Sequence, residues 1–463
     1  MGIAVSLDIA MRALLAQQAA VDAVAHNISN VATPGYTRQR VNMQALRGIG
    51  SFASPAAGGG VSVVSVDRVR DLFVDFQIRT ANHNAGRHEA RTASLRQVEI
   101  ALAEPSDSGL RAAMSRFWNA WRDLSNSPDL TATRAVLVET STDLASTAQT
   151  IRGSFVRLRE EADARLVSGA NEINALAKEI SSLNQQIAEL TGTGNRAPDL
   201  SDQRDLAMDR LSVLIDVRYR EREDGRIDVT IGGRSIVRGT QAFAIYGDPD
   251  VSNSNYIDLK FVADDADVTI TSGQLGGLIE QRDTYLTARI ADLDALIGEM
   301  ITDVNVVHAA GFGLDGTTGT AFFSGTDASD IAVDTVVSGD LDKLAAATNW
   351  SAGDGTPPGD GTNAAAISDL QYASQAALNN DTYDEFYESV VSSVGAAVRG
   401  AQRLAERQNL LVAQLEQVRQ STSGVNLDEE MVQLNRYQRA YQAAARLLSV
   451  IDDMLDQLIN RTI

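Results

Sequence analysis

The residues of this chain that could do chemistry are few and poorly spaced for it. The segment Gly311-Phe312-Gly313-Leu314-Asp315-Gly316 matches G-x-G-x-x-G. In dinucleotide-binding proteins that spacing follows a strand and opens a helix, whose N-terminus faces the pyrophosphate. Here the segment follows a predicted helix and opens a stretch rich in glycine and threonine. We therefore expect no nucleotide cofactor at this position.

Metal and acid–base chemistry would fall to four histidines, His26, His83, His88 and His308. His83 and His88 are five residues apart, a poor spacing for two ligands on one helical face, and no cysteine completes a zinc set. No G-x-S-x-G segment marks a serine nucleophile. The aspartates beyond residue 311 lack the spacing of a calcium loop. The sequence thus predicts no catalytic residue, no metal ligand and no cofactor.

Charge and hydropathy exclude further classes of protein. The chain has 463 residues with 40 basic and 61 acidic side chains, a formal charge of −21. Nucleic-acid binders and proteins that dock on anionic membranes need a basic face, so we expect neither partner. No apolar run reaches the roughly 18 residues that would predict a membrane span. The N-terminus lacks a basic region followed by an apolar one, which predicts no cleavable secretory signal.

The clearest pattern lies at the two ends of the chain. Apolar residues recur there at steps of three and four, interrupted once by Gln17, which places them on one stripe of an amphipathic helix. The N-terminal stripe is Ile3, Leu7, Ala10, Leu14, Val21, Val24, Ile28 and Val31, and the C-terminal stripe is Leu427, Met431, Leu434, Tyr437, Tyr441, Ala444, Leu448, Ile451, Leu455 and Leu458. Such a stripe must be buried. We expect the two ends to pack against each other and against neighbouring copies.

The predicted fold is mainly α with a small β insertion, in an elongated multi-domain chain whose helical-bundle core is discontinuous and formed by both termini. Residues 1–45 and 425–463 form the terminal helical assembly core. Residues 46–216 and 364–424, with a helix over 273–310, form a helical rod domain. Short alternating runs with the turn pairs Asp224-Gly225 and Gly232-Gly233 predict a β insertion over 217–272. An acidic, loop-rich insertion covers 311–363.

The acidic insertion is predicted from its composition. Residues 301–370 contain ten aspartates, no glutamate and one lysine, a local charge of −9. Charge of one sign is depleted from buried contacts, and polar, turn-rich loops project to the surface and tolerate changes of length. We therefore expect the insertion to be exposed to solvent and replaceable by a short linker.

Motifs at both ends resemble those of bacterial flagellar axial proteins. The segment Asn27–Tyr36 is similar to the N-terminal motif of these proteins in general. Its continuation Thr37-Arg38-Gln39 resembles the hook-associated branch, specifically the family of the first hook–filament junction protein. The segments Ser423–Glu430 and Tyr437–Arg446 resemble that family's C-terminal motif. The interior segments Asp202–Leu206 and Gly276–Asp283 are also similar to it.

The resemblance implies an axial structural subunit of the bacterial flagellum that joins hook to filament through paired terminal helices. It implies an extracellular protein, exported through the flagellar type III apparatus without a cleaved signal. The implied partners are identical subunits in a ring, the hook protein, a second junction protein towards the filament, and a cytoplasmic export chaperone on the C-terminal helix. We expect the assembly interface to comprise Leu7, Leu14, Val21, Val24, Ile28, Asn30, Thr33, Pro34, Gly35, Tyr36, Leu427, Met431, Leu434, Tyr437, Tyr441, Leu448, Ile451, Leu455 and Leu458.

Two other classes of protein stay open. One is another flagellar axial protein of the rod or hook type, against which the continuation Tyr36-Thr37-Arg38-Gln39 argues. The other is an enzyme with its site in the insertions over 217–363. Support for the enzyme is weak, because the sequence brings no catalytic set together there.

Overall fold

Helices dominate the structure, as the sequence predicts. The computed structural model describes residues 2–46, 58–193, 196–350 and 359–460, and the side chains of residues 2–4 and 458–460 lie outside this description. In chain order the helices are α1 (Gly2–Ser29), α2 (Leu72–Leu102), α3 (Leu110–Asn126), α4 (Thr131–Gly192), α5 (Pro198–Leu214), α6 (Gly273–Glu280), α7 (Leu286–Ala310), the short α8 (Thr335–Gly339), α9 (Thr362–Asp369), α10 (Tyr383–Ser423) and α11 (Leu427–Asn460). A π-helical turn over Gln281–Tyr285 joins α6 to α7.

The strands are short and all pair antiparallel. They are β1 (Gln39–Ala45), β2 (Val61–Arg68), β3 (Val217–Glu221), β4 (Ile227–Ile231), β5 (Arg234–Arg238), β6 (Gln241–Ala242), β7 (Ile245–Asp250), β8 (Tyr256–Phe261), β9 (Phe323–Ser324) and β10 (Ala332–Val333). The hairpin β1–β2 follows α1, and β9 pairs with β10. Between α5 and α6 lie a sheet of order β3-β4-β5-β6 and the hairpin β7–β8. The expected β segment therefore consists of two small sheets.

Local chemistry sets where several helices begin. The side chain of Asp71 accepts hydrogen bonds from the backbone of the first turn of α2. Thr382 and Glu385 form a reciprocal capping box at α10, which satisfies two of the unpaired backbone donors there. Asn426 Oδ1 accepts from the backbone nitrogen of Asp428 at 3.0 Å, as expected of an N-cap residue of α11.

We call the part of the chain from α2 to α10 the body of the molecule, and α4 is its longest helix. Its 62 residues extend about 93 Å at 1.5 Å per residue. The first half packs with α3 and α7 around an aromatic core that contains Phe117, Trp118 and Trp121. The second half packs with α5, α6 and the β segment around a second core, which contains Met208 and Ile236. Helix α10 runs back along α2 and leads into α11.

The acidic segment after α7 differs from the expectation. Phe322, Phe323, Ile331 and Leu344 are at most 1% exposed and belong to the same core as the tryptophans of α3. The expectation that this segment is a solvent-exposed loop is therefore wrong for its apolar residues. The sequence does suggest a short strand over Ile331-Ala332-Val333, where the structure has β10. Phe322, Phe323 and Leu344 lie between turns and show no helical or strand period, so the sequence does not indicate their burial. Residues 351–358 lie outside the described part of the chain.

The aspartates of that segment stabilise its turns. Asp315, Asp327 and Asp360 each accept a hydrogen bond from the backbone nitrogen two residues later. Asp334 does the same at the start of α8. Short acidic side chains favour such turns, because they bond to the backbone two residues on. The high aspartate content thus reflects turn formation as well as solvent exposure.

His308, at the end of α7, connects the acidic segment to the helical body through hydrogen bonds to its backbone. The side chain is completely buried. Its Nδ1 lies 2.8 Å from the carbonyl oxygen of Thr320, and its Nε2 accepts from the backbone nitrogen of Ala345 at 3.0 Å. Burial lowers the pKa of His308 to about 4. The imidazole is therefore neutral at pH 7, and both ring nitrogens are engaged by backbone groups.

Candidate assembly interface

The two ends of the chain pack against each other as a helix pair, α1 with α11. The buried face of α1 consists mainly of small residues, and Ala10, Ala16 and Ala20 are at most 1% exposed. Across from it, Ala444 and Ile451 are the buried apolar residues of α11 among its described side chains. Small side chains let two helix backbones approach closely, but they bury little apolar area each.

The structure divides the expected interface residues into three groups. Val24 and Ile451 are buried. Half-buried residues lie along the edges of the pair: Leu7, Leu14, Val21, Ile28, Asn30, Tyr36, Leu434, Tyr437, Leu448 and Leu455. Exposed residues are Thr33, Pro34, Gly35, Leu427, Met431 and Tyr441, and the side chain of Leu458 lies outside the described residues. Among the large residues of the N-terminal stripe, Val24 thus lies in the contact between the helices. Leu7, Leu14, Val21 and Ile28 flank that contact.

A second apolar face of α11 is exposed. Val432, Leu447, Val450 and Met454 are 47–67% exposed. At 3.6 residues per turn this face is rotated from Ala444 and Ile451 by roughly a quarter of a turn. Met11 and Leu15, one turn apart on α1, are also more than half exposed. Within the described residues, no other element of the chain covers these side chains.

A polar cluster joins the helix pair where α1 ends and α11 begins. Asn27 is buried and uses its whole amide: Nδ2 donates to Gln39 O at 2.9 Å and to Glu430 Oε2 at 3.0 Å. Its Oδ1 accepts from the backbone nitrogen of Gln39 at 2.9 Å. Arg38 Nε lies 2.8 Å from the other carboxylate oxygen of Glu430, which is 2% exposed. A buried carboxylate needs such partners, because an unpaired one is strongly unfavourable.

Tyr36 completes this cluster. Its hydroxyl donates to Asn27 Oδ1 at 2.7 Å and lies 3.1 Å from Nδ1 of His26. Burial raises the pKa of Tyr36 above its usual range, and the negative charges of Asp199, Asp202 and Glu430 act in the same direction. The hydroxyl therefore keeps its proton and remains a donor at all ordinary pH values.

The turn between α1 and the hairpin β1–β2 accounts for Gly35 of the Pro-Gly pair. Thr33 Oγ1 donates to Asn30 Oδ1 at 3.1 Å, and the backbone nitrogen of Tyr36 donates to Thr33 O at 3.2 Å. Gly35 has φ of +79°, a left-handed conformation in which glycine avoids the strain of a Cβ. A Cβ at Gly35 would also lie 3.3 Å from Cβ of Leu206 on α5. The turn thus needs glycine for both its conformation and its close contact with the body.

Sequence reasoning missed part of the centre of the interface, although Ala10, Val24, Ala444 and Ile451 belong to the predicted stripes. Ala16, Ala20, Ala23 and Asn27 follow each other at steps of four, three and four, the same spacing as the apolar stripe. A search for large apolar side chains passes over this row, although alanine and asparagine form the contact. Glu430 lies in the first turn of α11, where an acidic residue suits the helix dipole.

The described residues contain neither a metal site nor a membrane span. No group of three or more histidine, aspartate or glutamate side chains among them is arranged to hold a metal ion. No helix in the same ranges is both long and apolar enough to cross a bilayer.

Comparison with protein families gives matches in three parts of the chain. Residues 95–323 match the model described as "Flagellar hook-associated protein FlgK helical domain". Residues 7–37 match "Flagella basal body rod protein", and residues 417–461 match "Flagellar basal body rod FlgEFG protein C-terminal". The two ends are thus similar to rod proteins, whereas the middle is similar to hook-associated proteins.

Relatives that match over nearly the full length decide whether the chain is similar to a rod protein or to a hook-associated protein. The chain is 30% identical to flagellar hook-associated protein 1 of Bacillus subtilis (strain 168), over 98% of this chain and 97% of that protein. The chain belongs to the flagellar hook-associated protein 1 family. It is also 27% identical to the family member of Escherichia coli (strain K12), over 97% of this chain and 98% of that protein. The resemblance seen in the terminal motifs is confirmed, and this family member is a structural component of the bacterial flagellum.

A solved structure agrees on the fold. The flagellar hook junction protein FlgK from Burkholderia pseudomallei matches with a TM-score of 0.63 at 17% identity. The match covers 74% of this chain and 99% of that one. The predicted mainly helical, elongated fold is confirmed.

Proposed function

We propose that this family member joins hook to filament as one subunit of a ring, and that the α1–α11 pair is its contact element. The observation that carries the proposal is the second apolar face of α11, formed by Val432, Leu447, Val450 and Met454. Leu447, Val450 and Met454 follow at steps of three and four, and Val432 lies on the same side of the helix about four turns earlier. All four side chains are large and uncovered within the described chain. Exposed apolar faces of this kind mark sites of protein association.

The distribution of side chains around α11 supports a contact with neighbouring subunits. One face packs on α1 through Ala444 and Ile451. The second apolar face is free, and a third face carries Asp452 and Asp456. A helix with apolar residues on two faces needs two packing partners. The first partner is α1, and the second is a copy of the same helix pair.

The same face accounts for the other partners that we propose. A single chain with this face uncovered needs a cytoplasmic chaperone on α11 until export through the type III apparatus. In the assembled flagellum, outside the cell, the ring contacts the hook protein on one side and a second junction protein on the side of the filament. We propose no catalytic step in residues 217–363. The histidine of that region, His308, bonds to backbone groups through both ring nitrogens.

A pair of variants tests the proposal. Leu447→Asp with Met454→Asp places two charges on the second apolar face, where burial of unpaired charge is strongly unfavourable. The monomer should fold as before, since both side chains are about half exposed. In a strain that lacks the native subunit, we expect loss of the hook–filament junction and release of filament protein into the medium.

The matched control adds the same charge to the polar face of the helix. Gln442→Asp with Ser449→Asp changes two exposed residues on the side that carries Asp452 and Asp456. This variant should form normal junctions. Normal junctions in the Leu447/Met454 variant would overturn the proposal, as would equal failure of both variants with folded monomers.

A further inference from the structure

Helix α5 presents a row of aspartates to the elements that connect the helix pair with the body. Asp199, Asp202, Asp205 and Asp209 follow at steps of three, three and four, which places them on one face of the helix. We call this row the aspartate stripe. It lies beside both crossings of the chain between the two parts of the molecule: the hairpin β1–β2 that leads into α2, and the end of α10 that leads into α11.

The first half of the stripe binds the segment that follows α1. Asp199 Oδ1 accepts from Nε2 of Gln39 at 2.6 Å. Asp202 accepts from the backbone nitrogen of Thr37 at 2.9 Å and also from its hydroxyl. These contacts hold the turn after α1 against the body.

The second half of the stripe binds arginines from three other elements. Asp205 contacts Arg68 at the end of β2 at 2.7 Å, Arg79 on α2 at 3.1 Å, and Arg70 between them. Asp209 lies 2.8 Å from Nε of Arg79 and 2.7 Å from Nη1 of Arg419 near the end of α10. Asp205 is the carboxylate of the stripe that contacts three arginines among the described residues.

Burial makes these contacts sensitive to geometry. The side chains of Arg70, Arg79 and Asp205 are 10%, 4% and 14% exposed. Attraction between charges inside a protein offsets their loss of hydration only when the geometry is good. Arg68 also pairs with Asp202, Arg70 with Asp75 and Arg79 with Asp209, so loss of Asp205 leaves each arginine with one carboxylate fewer. A rotation of the hairpin relative to α5 would separate Arg68 and Arg70 from Asp205. The cluster therefore favours one orientation of the hairpin.

We propose that Asp205 is a positioning residue of the assembly interface. The hairpin β1–β2 packs along α1. By holding the base of that hairpin, Asp205 fixes the direction in which the α1–α11 pair leaves the body. Subunits in a ring must present their contact helices at one angle, so assembly depends on this residue even though it lies outside the contact. The dependence of assembly on Asp205 rests on the proposed ring function.

The test measures orientation and stability separately. The chain has no cysteine, so Ser29→Cys and Glu172→Cys give two unique, exposed spin-label sites, one on the helix pair and one on the body. Asp205→Asn should add a second or broader distance population, because loss of a buried partner shifts the ratio of docked to undocked forms by about 100-fold. Asp205→Glu keeps the charge and should restore much of the single population. In cells, Asp205→Asn should reduce junction formation.

Asp294→Asn is the matched control. Asp294 pairs with Arg152 at 2.8 Å and 3.1 Å, and its side chain is 21% exposed, against 14% for Asp205. This pair lies between α7 and α4, inside the body. It should lower the melting temperature about as much as Asp205→Asn and leave the label distance and the junction unchanged. An unchanged distance distribution in Asp205→Asn would overturn the proposal. If the unsubstituted chain does not restore junctions in a strain that lacks the native subunit, the proposed ring function is refuted. The distance measurement would still test whether Asp205 orients the helix pair.

Discussion

Asn27 Nδ2 donates a hydrogen bond to Glu430 Oε2 at 3.0 Å, across 403 residues of sequence. Both side chains are at most 2% exposed. The bond joins the last turn of α1 to the first turn of α11, so each terminal helix is held by the other at the end nearest the body. The remaining bonds of the Asn27 amide go to Gln39 and Tyr36.

Asn27→Ala should loosen the helix pair. It removes the partner of Glu430 Oε2, whose other oxygen still pairs with Arg38, and the partner of the Gln39 backbone. Each unsatisfied buried group costs about 1–3 kcal/mol. Amide exchange in α1 and α11 should therefore become faster than in the native chain. Ser29→Ala is the control, since that side chain is exposed and its hydroxyl donates to a carbonyl of its own helix. Equal exchange in the two variants would show that Asn27 does not hold the pair.

In the free monomer, α1 and α11 should exchange their amide protons faster than α3. The contact between them is built largely from alanine, which buries little apolar area, and isolated helices are marginal in water. Helix α3 is held by Phe117, Trp118 and Trp121, all completely buried. Hydrogen exchange followed by mass spectrometry on dilute protein measures this. Protection of the terminal helices equal to that of α3 would contradict the prediction.

His308 should make the stability of the body depend on pH. Its pKa in the folded state is about 4, below the ordinary value of 6.5. The unfolded chain therefore binds more protons between these values, and the free energy of unfolding falls as the pH drops from about 6.5 to about 4. The full contribution is about 3 kcal/mol, at 1.36 kcal/mol per pKa unit.

Urea unfolding at pH 7, 5.5 and 4.5 checks the histidine prediction. Burial also lowers the pKa values of His83 and His88, so the comparison must be with His308→Gln, in which those two histidines are kept. The native chain should lose more stability than this variant over the same interval. Parallel curves would mean that His308 is not the titrating group.

Phe322→Ala should destabilise the body by about 3–5 kcal/mol, the usual effect of removing a buried phenylalanine. Phe322 is completely buried, and its ring centroid lies 4.9 Å from that of Trp121. Val336→Ala in the same segment is the control, because Val336 is 43% exposed and should change stability little. Denaturant unfolding measures both. For the same reason, a short linker in place of residues 314–360 should now prevent folding of the body.

From the sequence alone, the terminal helices, the β segment over 217–272 and the family could be predicted, but not the short helix α8 in the acidic segment. In the structure, Asp71, Thr382 and Asn426 cap helix starts. A cap depends only on backbone groups two or three residues away. The terminal motifs from Asn27 to Gln39 and from Ser423 to Glu430 identified a flagellar axial protein. These features are local, so they can be recognised in the order of residues without knowledge of the packing.

Only the tertiary structure decided which residues meet. The seam between the ends is mainly an alanine face that also contains Val24 and Ile451. Most of the large residues of the stripes flank it, because two helices approach most closely where side chains are small. Asp205 meets Arg68 and Arg79 across more than 120 residues of sequence, and nothing in the local spacing of either arginine indicates that contact. Phe322 and Ile331 lie in a stretch that looks like a solvated loop, yet they are completely buried. Composition gives the average character of a segment, whereas burial depends on the position of each side chain relative to distant helices.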